Sequence, residues 1–240
     1  MNKFAVFDID GTLIRWQLYH VIVDRLAQSG QLSSEAAAQL KKARMKWKNR
    51  EHHESFADYE QVLIDIFESS LKNINPKVFD SLVSNVIDQY QKQVYTYTRD
   101  LITELKQRGY VILAISGSHH ELVEEIARAY GFDDWVGTTY ERKDGSYSGK
   151  SFIASHHKAQ VLQDLIRKHS LTHDGSYAVG DSRSDAPMLE LVENPIAFNP
   201  DHNLISIARN NHWDIVIERK NMVYQLEWNN GRYVLAQTGE

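Results

Sequence analysis

Four carboxylates stand at spacings that chemistry can use. Asp8 and Asp10 lie two residues apart in Asp8-Ile9-Asp10-Gly11-Thr12, and Asp181 and Asp185 lie four apart in Gly180-Asp181-Ser182-Arg183-Ser184-Asp185. No Lys or Arg stands beside the first pair, so its two acids repel unless a cation or a proton relieves them. A hard divalent ion such as Mg²⁺ is the natural partner for oxygen ligands of this kind. One Asp can then be a nucleophile toward phosphorus and the other a proton donor to the leaving oxygen. The second pair could complete a metal site. Asp185 could equally cap the helix that runs to Val192, and both roles can hold at once. Ser116-Gly117-Ser118 adds a small hydroxyl and backbone amides at a helix start, which suits phosphate oxygens. The same residue types also build solvated turns, so position decides.

The position is that of strand ends. Phe4 to Phe7 is a continuous apolar run that stops at Asp8, as expected of a strand buried on both faces of a parallel sheet. Further strands are predicted at 110–115, 135–139, 177–179, 195–198 and 214–217. Between them lie helical stretches at 100–108, 121–130, 158–169 and 203–210, the first two closed by Gly109 and Gly131. Strands alternating with helices predict an α/β fold, a doubly wound and mostly parallel sheet whose ligands bind at the carboxyl ends of its strands. Residues 15–94 break the rhythm with apolar positions at helical spacing, such as Tyr59, Leu63, Ile66 and Phe67. They read as a helical cap inserted into a core of residues 1–14 and 95–218. Residues 219–240, with Asn229-Asn230-Gly231 between two strand-like runs, read as a hairpin extension.

Composition narrows the function classes. The 240 residues are 42% hydrophobic and 25% charged, a globular balance. The net charge of −5 leaves no global basic field for nucleic acid or anionic lipid. There is no Cys, which excludes disulfides, thiolate metal sites and Cys nucleophiles and fits a reducing compartment. No apolar run approaches the roughly 18 residues of a membrane helix. The first eight residues reach an acid too early for a signal peptide, so the expected location is cytoplasmic.

The ordered set of Asp-x-Asp-Gly-Thr, Ser-Gly, Lys and Gly-Asp-x₃-Asp resembles the haloacid dehalogenase-like (HAD) hydrolases. With its helical insertion as a C1 cap, the chain is most similar to the subfamily IB group that contains phosphoserine phosphatase. The resemblance implies a Rossmann-like core, a Mg²⁺ cofactor and a small-molecule phosphate ester as partner. It makes Asp8 the nucleophile, forming an aspartyl-phosphate, and Asp10 the general acid and then base. It gives the metal to Asp8, Asp181 and the Asp10 carbonyl, with Asp185 in support. Gly11, Thr12, Ser116, Gly117 and a Lys are implied to hold the phosphoryl group. Lys150 and Lys158 both lie in the right interval. Lys158 is preferred because it opens the helix before Asp181. Where phosphoserine enzymes carry an acid and an Arg for the substrate's charges, this chain aligns Gln17 and Ile66. Phosphoserine is therefore a doubtful substrate, though other cap cations such as Arg15, Arg44 or Lys48 could compensate. His119 is a further specificity candidate. The rival readings are a dehalogenase, phosphoserine phosphatase proper, and a non-catalytic protein phosphorylated on Asp8 that binds partners.

Overall fold

Phe4, Ala5, Val6 and Phe7 are completely buried, which requires cover on both faces of the strand that carries them. The computed structural model describes residues 2–52 and 54–239 and supplies that cover. Two compact units emerge. The first gathers residues up to Trp16, Tyr90–Thr138 and the described residues from Ile153 onward, and the second gathers Gln17–Gln89 and Thr139–Phe152.

In chain order the elements are β1 (Asn2–Phe7), α1 (Leu18–Gln28), α2 (Ser34–Lys48), α3 (Ser55–Ser70), α4 (Pro76–Tyr90), α5 (Thr96–Gln107), β2 (Val111–His119), α6 (His120–Tyr130), β3 (Asp134–Lys143) and β4 (Ser146–Phe152). They continue as α7 (Lys158–His169), β5 (Leu171–Gly180), α8 (Ala186–Leu189), β6 (Asn194–Phe198), α9 (His202–Asn211), β7 (Asp214–Arg219), β8 (Met222–Asn229) and β9 (Arg232–Gly239).

The sheet of the first unit runs β3-β2-β1-β5-β6-β7-β8-β9. Its strands are parallel from β3 to β7 and antiparallel from β7 to β9. The chain leaves β1 toward β2 on one side and reaches β5 on the other. The carboxyl end of β1 is thus a topological switch point, where open α/β sheets bind ligands. Phe4 and Val6 face one core with Leu162 and Leu165 of α7, Leu189 of α8 and Leu204 and Ala208 of α9. Phe7 turns the other way, edge-on to Phe132 at 6.1 Å. Burying side chains of this size stabilises by about 1.5–3 kcal/mol each, and that is what pins the acids following Phe7. β1 pairs with β5 in two stretches. Lys3 is opposite Thr172 while Ala5 is opposite Tyr177, so the residues between Thr172 and Tyr177 bulge out of the ladder.

The C-terminal hairpin turns through Asn230 and Gly231, with φ of +48° and +87°, the pair of positive values a type I′ turn requires. Tyr233 Oη lies 2.9 Å from the Ala208 carbonyl and 2.8 Å from that of Trp213. Trp228 stacks on His212 at 4.2 Å. The hairpin is thereby stitched to α9 and the start of β7.

The second unit packs its helices through Tyr59, Leu63, Phe67 and Phe79, all buried. Ser33 caps α2 by accepting from the Ala36 amide. The unit also holds residues 139–152, beyond the helical stretch that the sequence reading assigns to a cap. Arg142 explains this: it donates to both Asp80 carboxylate oxygens, at 2.9 and 2.7 Å, and lies against the Phe79 and Tyr147 rings. Phe67 meets Tyr140 edge-on at 5.1 Å. Among the described residues, no helix is long and apolar enough to cross a membrane.

Candidate active site

The turn after β1 is built by its backbone. The Ile9 carbonyl accepts from the Leu13 and Ile14 amides, and the Gly11 amide donates to the Ile14 carbonyl at 2.9 Å. Gly11 has a φ of +78°, and a β-carbon there would overlap the Asp181 carboxylate. Only Gly lets the two acidic loops approach this closely. Thr12 Oγ donates to Asp181 Oδ1 at 3.2 Å, and the Thr12 carbonyl is held by the buried Thr98 hydroxyl at 2.9 Å.

Three chain segments converge on Asp8. The Lys158 ammonium, contributed by the first turn of α7 and 2% exposed, donates to Asp8 Oδ1 at 2.7 Å and also to Asp185 Oδ1. The other oxygen of Asp185 accepts from the Asp181 amide at 3.1 Å, the Ser182 amide at 2.9 Å and the Ser182 hydroxyl at 3.0 Å. Asp185 thus ties down the acidic loop that precedes it and joins the cluster; its side chain makes no capping bond to α8, which ends at Leu189 rather than Val192. One carboxylate oxygen each from Asp8, Asp181 and Asp185 lies within 4.8 Å of the others.

Asp10 is turned aside. Its Oδ2 accepts from the Ser116 hydroxyl at 3.1 Å, and Ser116 Oγ in turn accepts from the Ser118 amide at 3.1 Å. The carbonyl of Gly117 is fixed by the Thr138 hydroxyl at 2.8 Å. The sequence reading missed Thr98, Thr138 and Ser182. Thr98 on α5 and Thr138 on β3 support the loops from a distance, with nothing in their local sequence to set them apart, while Ser182 acts from within the acidic loop itself.

The electrostatics follow from burial. Desolvation pushes Asp8 up to about 7; Lys158 opposes this, while Asp185 and Asp10 add to it. Burial holds Asp181 well above the usual carboxylate range, and the neighbouring Asp8 and Asp185 raise it further. Burial works against the Lys158 charge, but Asp185 and Asp8 outweigh it and keep the ammonium protonated. One ammonium cannot balance four carboxylates in so buried a pocket, so burial and mutual repulsion push Asp8 and Asp181 toward the protonated form unless a cation joins them. The clustered oxygen ligands of Asp8, Asp181 and Asp185 fit a hard divalent cation.

The remaining candidates lie elsewhere. Lys150 is on β4, its side chain 80% exposed and 3.6 Å from Glu141. His119 is buried at the end of β2, where it pairs in register with Thr138. Gln17 begins α1 and Ile66 is buried on α3, both in the second unit and outside the acidic cluster.

The chain is similar to several known proteins. The chain is 28% identical over 150 residues to phosphoserine phosphatase SerB1 of Mycobacterium tuberculosis, matching 61% of this chain and 46% of that protein. It is 23% identical over 232 residues to a histidinol-phosphatase of Neisseria meningitidis, matching 90% of this chain and 99% of the relative. The chain spans about half the length of the first curated relatives it matches. A crystal structure of a protein of unknown function from Bordetella pertussis Tohama I shares the fold. Its TM-score is 0.72 at 22% identity, with 91% of this chain and 99% of that one covered. The model of the haloacid dehalogenase-like hydrolases matches residues 5–190, which include the acidic loops, Ser116 and Lys158. With most of its length under that match, the chain belongs to the haloacid dehalogenase-like hydrolase family.

Proposed function

We propose that the chain hydrolyses a small-molecule phosphomonoester through an aspartyl-phosphate on Asp8. The observation that carries this reading is the buried Lys158 ammonium held between Asp8 and Asp185, with Asp10 kept apart by Ser116. Phosphoryl transfer needs an aligned nucleophile, charge compensation and a separate proton carrier more than elaborate covalent machinery. To these needs we assign Asp8, Lys158 and Asp10 in turn.

In the first step an oxygen of Asp8 attacks phosphorus. The ester P–O bond breaks, and the leaving oxygen takes the proton of Asp10. In the second step Asp10 removes a proton from water as that water attacks the phosphorus. The bond to Asp8 breaks and inorganic phosphate leaves. Lys158 neutralises Asp8 and the phosphoryl oxygens, while Ser116, Thr12 and the Gly117 backbone hold that group. Asp8 and Asp181, with the Asp10 carbonyl and with Asp185 in support, would hold Mg²⁺. When bound, the ion offsets charge on the transferring group and favours ionised carboxylates.

We assign substrate choice to Gln17, Ile66 and His119. In the alignment with phosphoserine enzymes, Gln17 and Ile66 take the positions of the charged partners, and an apolar Ile would not offset desolvation of a substrate carboxylate. We therefore assign phosphoserine a minor role. The near full-length match to a histidinol-phosphatase adds phosphorylated amino alcohols to the candidates. The test is phosphate release from a panel of phosphorylated metabolites, including phosphoserine and histidinol phosphate, with Mg²⁺ and with EDTA. Mg²⁺-dependent turnover that Asp8→Asn reduces by at least about 10⁴-fold supports the chemistry. Folded, Mg²⁺-loaded protein that releases no phosphate from any ester would favour the non-catalytic reading.

A further inference from the structure

The second unit contains a groove of about 460 Å³ between α2 and α3, in the size range of small-molecule sites. Ala43, Tyr59 and Val62 give it an apolar wall, and Lys42 and Lys46, one turn apart on α2, line it on the same side. The aromatic wall is braced, because Tyr59 stacks on Trp47 at 5.3 Å with the rings 8° apart.

The charge on this groove is unbalanced. Helix α2 carries Lys41, Lys42, Arg44, Lys46 and Lys48, with Glu35 in its first turn as its single acid. Arg44 is taken by Asp24 and by the Tyr59 hydroxyl at 2.9 Å. Among the described residues, neither Lys42 nor Lys46 has an ion-pair partner. The acid in the groove, Asp58, is paired with His52 at 3.3 Å. Elsewhere the chain pairs charges one turn apart, as Glu104 with Arg108 at 2.9 Å and Glu124 with Arg128 at 2.7 Å. Two like charges at that spacing repel, and they do so here at the mouth of an apolar hollow.

We propose that this groove binds a small anion with an aromatic or compact apolar body. The anionic group sits between Lys42 and Lys46, and the body lies against Ala43, Tyr59 and Val62. A hollow of this size with an acid on its far side suits a compact ligand rather than an extended polyanion, which a flat basic track would serve. The acidic cluster belongs to the other unit, so this site is additional to the phosphatase reading and does not depend on it.

The probe is 8-anilinonaphthalene-1-sulfonate, an aromatic sulfonate, titrated calorimetrically into the full chain. Saturable one-site binding that weakens with added salt is expected. Lys42→Glu/Lys46→Glu should weaken it at least tenfold. Lys41→Glu/Lys48→Glu makes the same change in net charge on the same helix, outside the groove lining, and should leave it within about twofold. Thermal melts verify that both variants fold, and Lys42→Gln/Lys46→Gln repeats the test without charge reversal. Equal loss in the two pairs would reduce the effect to the general field of α2 and overturn the proposal. So would the absence of a saturable isotherm.

Discussion

Replacing Lys158 by Met removes the ammonium while keeping most of the side-chain volume. Asp8 and Asp185 then face each other in a pocket where both are at most 7% exposed. Removing one partner of a buried ion pair costs about 3–5 kcal/mol, because the charge left behind is uncompensated. That is a large share of the roughly 5–15 kcal/mol that holds a domain folded. Two features tune the loss. Asp8, already near pH 7, can take up a proton, so the penalty should be smaller at pH 6 than at pH 8. Mg²⁺ should restore part of it, since a cation among Asp8, Asp181 and Asp185 replaces the missing charge. Catalytically, a positioned donor to the transferring group is worth about 10²–10³ in rate. Urea unfolding at both pH values, with Mg²⁺ and with EDTA, reads the first effect, and phosphate release reads the second. Lys158→Arg should regain stability but not rate, because a planar guanidinium cannot reproduce a point donor shared by two acids. The reasoning is refuted if the Met variant keeps its metal-free stability, or turns over within tenfold of the parent chain.

Other perturbations separate the parts of the site. Ser116→Ala removes a hydrogen bond to the Asp10 carboxylate and should lower kcat by about 10–100-fold, since one hydrogen bond to a charged group is worth about 1.5–3 kcal/mol; steady-state kinetics check it. Gly11→Ala imposes a left-handed φ on a β-carbon and pushes into Asp181. It should lower stability by more than about 1 kcal/mol in urea and weaken Mg²⁺ binding in a calorimetric titration. In Asp134, burial raises the carboxyl but hydrogen bonds from His169, Lys168 and the Trp135 amide outweigh it, leaving it below its usual 3.8. A lowered carboxylate stabilises above its unfolded value and loses that contribution as pH falls. The stability gap between the parent chain and Asp134→Asn should therefore be full at neutral pH and close below about pH 3.8.

Much of the fold was legible because its signals are local. A four-residue apolar run ending in Asp8, and Gly109 and Gly131 at helix ends, depend only on neighbours in sequence. The same is true of the acids at strand ends, and Lys158 lies against Asp8 because α7 starts there. Residues 139–152 were different. Their place in the second unit depends on Arg142 meeting Asp80, 62 positions away, and on Phe67 meeting Tyr140. No periodicity within the strand announces such a contact. Thr98 and Thr138 were equally silent: each supports an active loop through one hydroxyl, and a Thr in a helix or strand looks ordinary until its partner is known.

The bulge between Thr172 and Tyr177 has a consequence for the tolerance of the molecule to change. In a parallel ladder, a residue gained or lost near the start of a strand shifts every later partner, and a one-residue shift turns each side chain to the opposite face. Here pairing with β1 is interrupted and then resumes at Ala5 with Tyr177, from which it runs unbroken to Phe7 with Val179. The extra backbone acts as slack. Length changes at the exposed Asp174 should be taken up before they reach the active end, while its neighbour Gly175 is held by the Tyr110 hydroxyl and the Glu193 carboxylate. Asp8 and Asp181 stay in step because the three pairs nearest them are set independently of how the strands begin.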